Sequence, residues 1–378
     1  MSRLRRLAFL LGALNAWLNP GMPGWAANFD GLVSSGIEQA GDTESVLIVS
    51  SPDGPGQGGT GWEAEIFAVP AGDESLALSY TTEMMMAPVH APDARRKRSR
   101  YAGDRWAFEV DGLLLWQGNT ASRPLLVDGA GQTVLDVTQA GTVTSAGPRY
   151  RIQFDVDACH AVEGIFFKAE DFRGEATVAS GTPIGLPVTT PLAPATLLTE
   201  ARFQSAELNW RRYNGGRISW LLGFRWVEWA QQMQLSGDTQ GGVRGVSSLT
   251  GNDLYGSQIG ADLLLWNSGP RFRVNGIGKA GIFGNRAYQR TSGIPSGGPA
   301  AADGSQVSFF GETSLVADVG ITRWLTWRSG YVVFWGSGLA LPAENLTLVD
   351  FGPPTSARMD ITESLLVHGV TTGLEARW

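Results

Sequence analysis

The residues best suited to chemistry in this chain are three histidines and a few serines. Hydrolysis of the serine type needs a hydroxyl nucleophile next to a histidine base. Only His368 with Ser314 or Ser329 offers such a pair, and nothing in the spacing favours it. His90 and His160 fall far from His368 in the predicted topology, so we expect neither a histidine metal site nor a catalytic site.

Cys159 is the only cysteine of the chain. It cannot form an internal disulfide or a zinc cluster, and its place in a predicted tight turn indicates a small turn residue rather than a reactive thiol. The glycines of 278–284 do not predict a phosphate-binding loop, because no helix follows to receive the anion. Strand curvature explains them better, and the sequence predicts no cofactor.

Charged residues instead gather on one face of alternating segments. In 271–285, Val274 and Ile282 share one face, and Arg273 and Lys279 share the other. A charged side chain on the lipid face of a membrane barrel costs about 2–4 kcal/mol near the midplane, so the polar face must point inward. The predicted lumen-lining residues are Glu207, Arg211, Arg225, Asp262, Arg273, Lys279, Glu312, Asp318, Arg328, Glu375 and Arg377.

Two interpretations of this inward set stay open. The charges could line a channel and select solutes, or opposite charges could pair and fill a narrow barrel. Barrels of about eight strands are nearly filled by side chains, whereas open aqueous channels usually have about sixteen strands. The balance favours ion pairs that fill the lumen.

The elements that must position these residues are strands, and the last strand is the most informative. From His368 to Trp378, apolar and polar residues alternate up to the C-terminus. A soluble domain rarely ends on an open strand edge, whereas the last strand of a barrel pairs with the first. The alternative is an edge strand of a soluble periplasmic sandwich. Four residues also resemble the signal read by the barrel-assembly machinery: Thr371, Gly373, Ala376 and Trp378.

From residue 104 onward the sequence reads as strand after strand, without a sustained helical stripe. We predict an all-β fold, a transmembrane antiparallel up-and-down β-barrel of about ten strands with short periplasmic turns and long external loops. The predicted strands are 104–116, 148–157, 160–170, 200–213, 217–231, 252–265, 271–285, 306–319, 321–335 and 362–378. The predicted external loops are 117–147, 171–199, 232–251, 286–305 and 336–361.

Tryptophan positions agree with this topology, because indole prefers the headgroup boundary. Trp116 and Trp335 lie near predicted external ends. The tryptophans near predicted periplasmic ends are Trp106, Trp210, Trp220, Trp266, Trp324, Trp327 and Trp378.

One segment, 217–231, breaks the alternation of polar and apolar residues, since Arg225 and Glu228 have opposite parity. A bulge between them, or a position of Glu228 above the bilayer, reconciles this.

The N-terminus has the layout of a secretory signal peptide, which we assign to 1–27. Three arginines precede the apolar stretch 7–18, and Ala26 and Ala27 offer cleavage sites. A single N-terminal membrane anchor is the alternative. Removing three arginines and no acidic residue moves the formal charge from −7 to −10, which argues against nucleic acid as a partner.

Residues 28–103 form a Gly/Pro-rich segment and linker whose role the sequence does not define. The segment contains a basic run, 95–100, which we interpret as a solvated linker or a contact to anionic lipid headgroups. Two β-like pieces, 62–69 and 76–80, could join the wall and raise the strand count to twelve.

Six stretches follow one another in a recognisable order: Glu207–Arg212, Leu221–Trp226, Asn252–Gly260, Gly278–Asn285, Arg328–Tyr331 and His368–Trp378. They resemble the beta-barrel porin family numbered seven, outer-membrane proteins known mainly from planctomycete bacteria. The resemblance spans roughly residues 104–378. It implies an outer-membrane β-barrel with a transport or structural role, and it brings no catalytic or ligand residues.

These features predict a porin-like barrel of the outer membrane that contacts outer-membrane lipids and the barrel-assembly machinery. The first functional hypothesis is a narrow diffusion channel for small solutes. The alternative is a non-conducting structural or surface-interaction barrel, similar to an adhesin, with its chemistry in the external loops. An outer-membrane hydrolase is the least favoured hypothesis, and we predict that the chain is not an enzyme.

Overall fold

A computed structural model describes residues 105–378, except for 119–121, 141–143, 185, 187–189, 215, 240–241, 270, 294–298 and 353–354. The described residues correspond to the predicted barrel region. The predicted signal peptide and the segment 28–103, with its basic run and its two β-like pieces, lie outside the described residues.

Ten antiparallel strands form a closed barrel in which each strand pairs with its neighbours in sequence. A closed barrel leaves no unpaired strand edge, and the period-two alternation places two different faces on each strand. The all-β, up-and-down architecture expected from the sequence is confirmed. The strands are β1 (Trp106–Gln117), β2 (Thr144–Asp155), β3 (His160–Val178), β4 (Ala195–Tyr213), β5 (Ile218–Thr239), β6 (Gly242–Asn267), β7 (Phe272–Ser292), β8 (Ala300–Gly320), β9 (Leu325–Leu339) and β10 (Glu363–Arg377).

The barrel closes between its first and last strands. β1 pairs with β10 along its length, starting with Ala107 opposite Arg377. Two backbone hydrogen bonds between Trp106 and Trp378, each 3.0 Å long, continue the pairing to the C-terminus. The other edge of β1 pairs with β2, so no position remains for further strands. The count of ten is confirmed, and the twelve-stranded alternative is wrong.

The connections are short at one end of the barrel and mostly longer at the other, as expected for an outer-membrane barrel. The end that holds Trp106 and Trp378 also holds the four short turns, and we assign it to the periplasmic side. The short turns are 156–159, 214–217, 268–271 and 321–324. The long external connections are 118–143, 179–194 and 340–362.

Two of the predicted external loops are wrong. The segment 232–251 belongs mostly to β5, which continues to Thr239, and to β6, which begins at Gly242. The segment 286–305 belongs mostly to β7 and β8. Glycine, serine and threonine suggested loops in these segments. Their inward residues, such as Met233, Leu235 and Val246, are nevertheless buried apolar side chains that hold the strands on a core.

The outer face of the barrel carries an apolar band. Ile259, Ile282 and Val307 are 66%, 69% and 71% exposed, which favours lipid rather than water as their surroundings. Trp106 and Trp116 mark the two ends of β1, and ten residues of tilted strand correspond to about 25 Å along the barrel axis. That height matches the apolar band of an outer-membrane barrel.

The hydrophobic phase of the strands inverts at the external edge of this band. In β5, Phe224 faces outward and Arg225 inward, whereas further along Glu228 faces outward and Trp229 inward. The register of β5 with both neighbours runs without a shift, so the expected bulge between Arg225 and Glu228 is wrong. A position of Glu228 beyond the apolar band fits the structure. There the outside is polar and the interior becomes a hydrophobic core.

The external connections fold over the mouth of the barrel. Two short strands of one connection, Pro124–Val127 and Thr133–Asp136, form a small sheet with Thr182–Pro183. Their apolar side chains pack against the inner face of the extended wall and bury a common cluster, which covers the mouth. Members of this cluster are Leu126, Leu135, Leu192, Leu197, Met233 and Leu346.

Hydrogen bonds fasten the end of this small sheet. Burial raises the pKa of Asp136, but hydrogen bonds outweigh that effect and lower the pKa below its usual value. The Ser122 hydroxyl donates at 2.7 Å, and the Thr138 amide and hydroxyl donate at 2.8 and 2.7 Å. The ionised carboxylate therefore ties the entry of this connection to its exit.

Candidate functional site

The barrel interior is the candidate site indicated by the alternating charges. From the periplasmic end outward it contains a network of ion pairs, a layer of aromatic side chains and a segment of the connection 340–362. Inward positions of facing strands build each layer, because successive side chains of a strand alternate between the two faces of the wall.

At the centre of the network, two acids and two bases bridge the lumen. The Arg225 guanidinium lies 3.3 Å from Glu207 and 2.8 Å from Glu312, and the Lys279 ammonium lies 3.0 and 3.5 Å from the same carboxylates. None of the four side chains is more than 6% exposed. We call these residues the central quartet. Each buried charge in it has an opposite charge as a partner, as burial requires.

A second group neutralises the seam where the barrel closes. Glu109 of β1 stands directly opposite Glu375 of β10, an arrangement that would repel without bases nearby. Arg151 lies 2.5 Å from both carboxylates. Arg328 also contacts both and lies 3.1 Å from Asp318. Two guanidinium groups thus hold the first and last strands together.

A third group joins the other two. Arg211 lies 3.0 Å from Glu163 and 3.0 Å from Asp262. Arg151, from the group at the seam, reaches Glu163 at 3.2 Å. Asn209 donates hydrogen bonds to Glu163 at 3.3 Å and to the central quartet at 3.1 Å. The ion pairs therefore form one continuous network across the lumen.

The structure brings most of the predicted lumen-lining residues into this network. Asp262, Arg273 and Arg377 lie at its periplasmic edge, where the side chains of Arg273 and Arg377 are 43% and 40% exposed. Each of these three pairs with a buried member of the network. The other predicted residues are buried: Glu207, Arg211, Arg225, Lys279, Glu312, Asp318, Arg328 and Glu375.

Five further members are absent from the predicted lumen-lining set, although the alternation in 148–157 predicts an inward position for two of them, Arg149 and Arg151: Glu109, Asp111, Arg149, Arg151 and Glu163. Arg149 lies 2.5 Å from Asp111, and the acids of β1 stand opposite the bases of β2 in register. The signal was present in the sequence, because two charges at positions i and i+2 inside an apolar strand mark its inward face.

The predicted assembly signal lies in β10 and the residue after it. Thr371 is buried on the inward face, 2% exposed, and Gly373 shares that face. Ala376 and Trp378 have the opposite parity. The terminal aromatic residue of the segment, Trp378, therefore lies at the periplasmic rim of the barrel wall.

Above the ion pairs, aromatic side chains close the lumen. The ring of Phe203 contacts that of Phe167 edge-on at 4.8 Å and that of Phe334 at 5.1 Å between centroids. All three side chains are buried. The Arg225 guanidinium lies 4.8 Å from the centre of the Phe310 ring, so a cation–π contact joins this layer to the central quartet. An apolar layer of this kind stays dry and opposes the passage of ions.

Replacing Phe203 with alanine is expected to lower the free energy of unfolding by about 3–5 kcal/mol, the usual cost of truncating a fully buried phenylalanine. Denaturant unfolding of the vesicle-inserted protein, followed by tryptophan fluorescence, measures the change. Phe203→Leu keeps most of the apolar volume and should cost less than half as much. Equal losses in the two variants would contradict a tightly packed layer.

The connection 340–362 enters the lumen from the external side. Near the end of β9, Gly338 adopts a φ of 77°, a left-handed conformation that favours glycine, and the chain turns inward. Ala340 and Leu341 are buried, and helix α1 (Pro342–Thr347) follows them. Among the described residues, no helix is long and apolar enough to cross a bilayer. We call residues 338–346 the inserted segment.

Side-chain amides of the wall hold the inserted segment in place. Asn252 accepts a hydrogen bond from the Ala340 amide at 2.7 Å and donates one to the Ala340 carbonyl at 2.9 Å. Asn285 donates to the Gly338 carbonyl at 2.9 Å, and Gln289 donates to a carbonyl of α1 at 2.8 Å. These bonds satisfy buried backbone groups that would otherwise lack partners. We call Asn252, Asn285 and Gln289 the amide clamp.

Little space remains inside the network. A cavity of about 30 Å³ is lined by charged side chains that include Glu109, Arg149, Arg211 and Lys279. That volume holds about two water molecules. It does not accommodate a hydrated ion together with its shell, so the network fills this part of the lumen.

The described histidines lie outside the interior. His160 follows a periplasmic turn, with its Nδ1 atom 2.9 Å from Asp157, and this hydrogen bond lowers the pKa of Asp157. His368 lies on the outer face, 2.6 Å from a neighbouring tyrosine hydroxyl. Ser314 is buried in the interior, and the Ser329 hydroxyl donates to a backbone carbonyl. The structure therefore brings His368 together with neither serine.

The two remaining candidates for chemistry, Cys159 and the glycines of 278–284, belong to a turn and to a strand. Cys159 is exposed in the turn 156–159, and 278–284 lies within β7. Within the described part of the chain, no three His, Cys, Asp or Glu side chains are arranged to hold a metal ion. His90 lies outside the described residues.

The comparisons with known proteins concern the fold alone. No family model and no curated protein matches this chain, so the resemblance to beta-barrel porin family seven stays a prediction. The outer membrane protease OmpT from Escherichia coli is similar in structure, with 10% identity and a TM-score of 0.46 over 73% of this chain and 98% of that chain. The P. putida toluene transporter TodX has 8% identity and a TM-score of 0.31 over 73% of this chain and 90% of that chain. The anion-selective porin from Comamonas acidovorans has 9% identity and a TM-score of 0.16 over 73% of this chain and 100% of that chain.

The closed wall, the outward apolar band and the tryptophans at its edges define this chain as a β-barrel of the outer-membrane class. Its lumen is filled by three successive layers: the ion-pair network, the aromatic layer and the inserted segment.

Proposed function

We propose that this protein is a non-conducting barrel of the outer membrane and that its function, structural or in surface interaction, resides in its external end. One observation carries the proposal: the ion-pair network, the aromatic layer and the inserted segment lie one above another in the lumen. A diffusion channel for small solutes needs a continuous wet path, and these layers favour a closed lumen over an open one.

The external end offers the surface on which such a barrel would act. Beyond Glu228, about ten further residues of β5 carry the wall roughly 25–30 Å above the apolar band. The outward residues Gln232 and Gln234 are exposed, and Gln232 donates a hydrogen bond to Ser247 of β6. This raised wall, together with the small sheet in the mouth, presents amides and hydroxyls that suit a polar partner.

We infer further that the protein is not an enzyme. His160 lies beside a periplasmic turn and His368 lies on the outer face opposite Trp116, so neither points into the lumen, and neither contacts a serine hydroxyl. The charged groups of the interior are engaged in ion pairs and lie beneath the aromatic layer, out of reach of a substrate.

Vesicle swelling tests the proposal. Lipid vesicles that contain the purified full chain are expected to stay impermeable to small sugars, because no wet path crosses the lumen. A general diffusion porin in the same vesicles is the positive control, and heat-modifiable migration verifies insertion of both proteins. Swelling at a rate similar to that of the porin would contradict the proposal and favour a channel.

A further inference from the structure

The periplasmic rim of the barrel carries a set of exposed arginines. Arg217, Arg271 and Arg323 lie in three of the four periplasmic turns, Arg105 directly precedes β1, and Arg212 lies near the end of β4. All five are exposed. We call this set the arginine collar.

Exposed tryptophans accompany the arginine collar around the rim. Arg212 stands opposite Trp220 in the ladder between β4 and β5, and Trp210 shares its face. Trp210, Trp220 and Trp266 are 46%, 52% and 63% exposed, and Trp106 directly follows the first arginine of the collar. Indole rings mark the boundary between hydrocarbon and headgroups, so the guanidinium groups lie at the level of the headgroups.

The acidic groups at this end leave the collar without partners. Besides the C-terminal carboxylate, Asp157 pairs with His160, Asp262 pairs with Arg211, and Asp318 pairs with Arg328. Asp155 accepts a hydrogen bond from a neighbouring glutamine. Within the described residues, none of the five collar arginines forms an ion pair or a side-chain hydrogen bond.

The outer face at the external end is different. There Lys168 pairs with Glu170 at 2.6 Å, Arg202 with Glu228 at 2.5 Å, and Arg290 with Asp303 at 3.2 Å. Three bases on the outer face of the external end are thus neutralised by the protein itself, whereas none of the five collar arginines is. In a chain with a formal charge of −7, a rim of unpaired arginines points to a partner that supplies negative charge.

We propose that the arginine collar binds the phosphate groups of anionic glycerophospholipids in the inner leaflet. Guanidinium groups match phosphate oxygens in geometry and bind them with charge-assisted hydrogen bonds. The position beside the tryptophans places these groups in the headgroup layer rather than in the aqueous periplasm. The inference rests on the proposed location in the outer membrane, and it assigns a lipid class to one end of the barrel.

Tryptophan quenching by brominated lipids tests the collar. The full chain is inserted into phosphatidylcholine vesicles that contain increasing fractions of brominated phosphatidylglycerol or brominated phosphatidylcholine. At low salt the protein is expected to prefer the anionic lipid about fivefold at each collar site, and high salt should reduce the preference. The collar variant combines Arg212→Gln, Arg217→Gln, Arg271→Gln and Arg323→Gln. The control variant removes the same charge at the external end, by Arg173→Gln, Arg244→Gln, Arg290→Gln and Arg358→Gln.

The expected result is loss of the preference in the collar variant and its retention in the control variant. Retention in the collar variant, or no preference in inserted wild-type protein, would overturn the inference; the latter result would favour an acidic soluble partner at the rim. Protease resistance and heat-modifiable migration report insertion separately, so failure of the membrane location is distinguishable from failure of the collar.

Discussion

Replacing Arg225 with alanine is expected to lower the free energy of unfolding by about 3–5 kcal/mol, the usual cost of removing one partner from a buried ion pair. Glu207 and Glu312 would then share a single base, Lys279, in a part of the lumen where none of these side chains is more than 6% exposed. The substitution also removes the cation–π contact with Phe310. Among the described residues, no other single side chain joins the ion-pair network to the aromatic layer in this way.

Denaturant unfolding in vesicles measures this loss of stability. Two further variants serve as comparisons. Arg290→Ala breaks an exposed pair with Asp303, whose side chains are 51% and 68% exposed, and should cost about 0–1 kcal/mol. The double variant Arg225→Ala with Glu312→Ala removes one acid together with its base, so its cost should be smaller than the sum of the two single costs. A loss below about 1 kcal/mol for Arg225→Ala would indicate a hydrated, open lumen.

Deleting residues 373–378 is expected to leave secreted but uninserted protein. The deletion removes ladder partners of both β1 and β9, the two hydrogen bonds between Trp106 and Trp378, and Glu375, which neutralises two guanidinium groups at the seam. It also removes three of the four residues that resemble the assembly signal. Heat-modifiable migration of the protein in outer-membrane fractions measures insertion, and normal insertion of the truncated chain would contradict the prediction.

A point substitution at Trp378 separates recognition by the assembly machinery from closure of the barrel. Trp378→Ala keeps the backbone hydrogen bonds to Trp106 and every ladder pair of β10. If the assembly machinery reads the terminal aromatic, insertion in cells should fall sharply while refolding into vesicles stays near the wild-type level. Trp327→Ala, in the neighbouring strand and 44% exposed in the wild type, is the matched control. Equal insertion of the two variants in cells would assign Trp378 a structural role only.

The strand count and the inward charges could be read from the sequence because period-two alternation is a local property. Arg273 and Lys279 alternate with Val274 and Ile282 within one strand, and no knowledge of the partner strands is needed to assign the faces. The pairing of particular acids with particular bases could not be predicted from the sequence. Arg225 and Glu312 lie on strands separated by two others, and their meeting depends on barrel diameter and on the shear of the wall.

The phase inversion explains the two wrongly predicted loops. Below the external edge of the band, apolar residues face out, and above it they face in; Phe224 and Trp229 of β5 follow these opposite rules. If apolar residues are assumed to face outward along the whole strand, the part beyond the external edge of the band therefore resembles an irregular loop. The position of the membrane edge, not any single residue, decides where the rule changes, and the sequence gives only indirect signs such as the change of parity at Glu228.

The inserted segment was not predictable for a related reason. Ala340 and Leu341 continue the apolar character of β9 and resemble further strand. Only Gly338, with its left-handed backbone, shows where the chain leaves the wall. The amide clamp consists of Asn252, Asn285 and Gln289, whose inward parity is compatible equally with a wet channel lining and with bonds to an inserted backbone.

Single-channel recording in planar bilayers tests the central claim, a lumen sealed along its length. Wild-type protein, with insertion verified independently, is expected to show no steady conductance at any salt concentration or voltage tested. A variant in which a short Gly-Ser linker replaces residues 340–362 and alanine replaces Phe203 should conduct, because it lacks two of the three layers, and it shows that the assay detects an open barrel. Steady wild-type conductance whose ion selectivity changes in Lys279→Glu would contradict the claim and establish a channel.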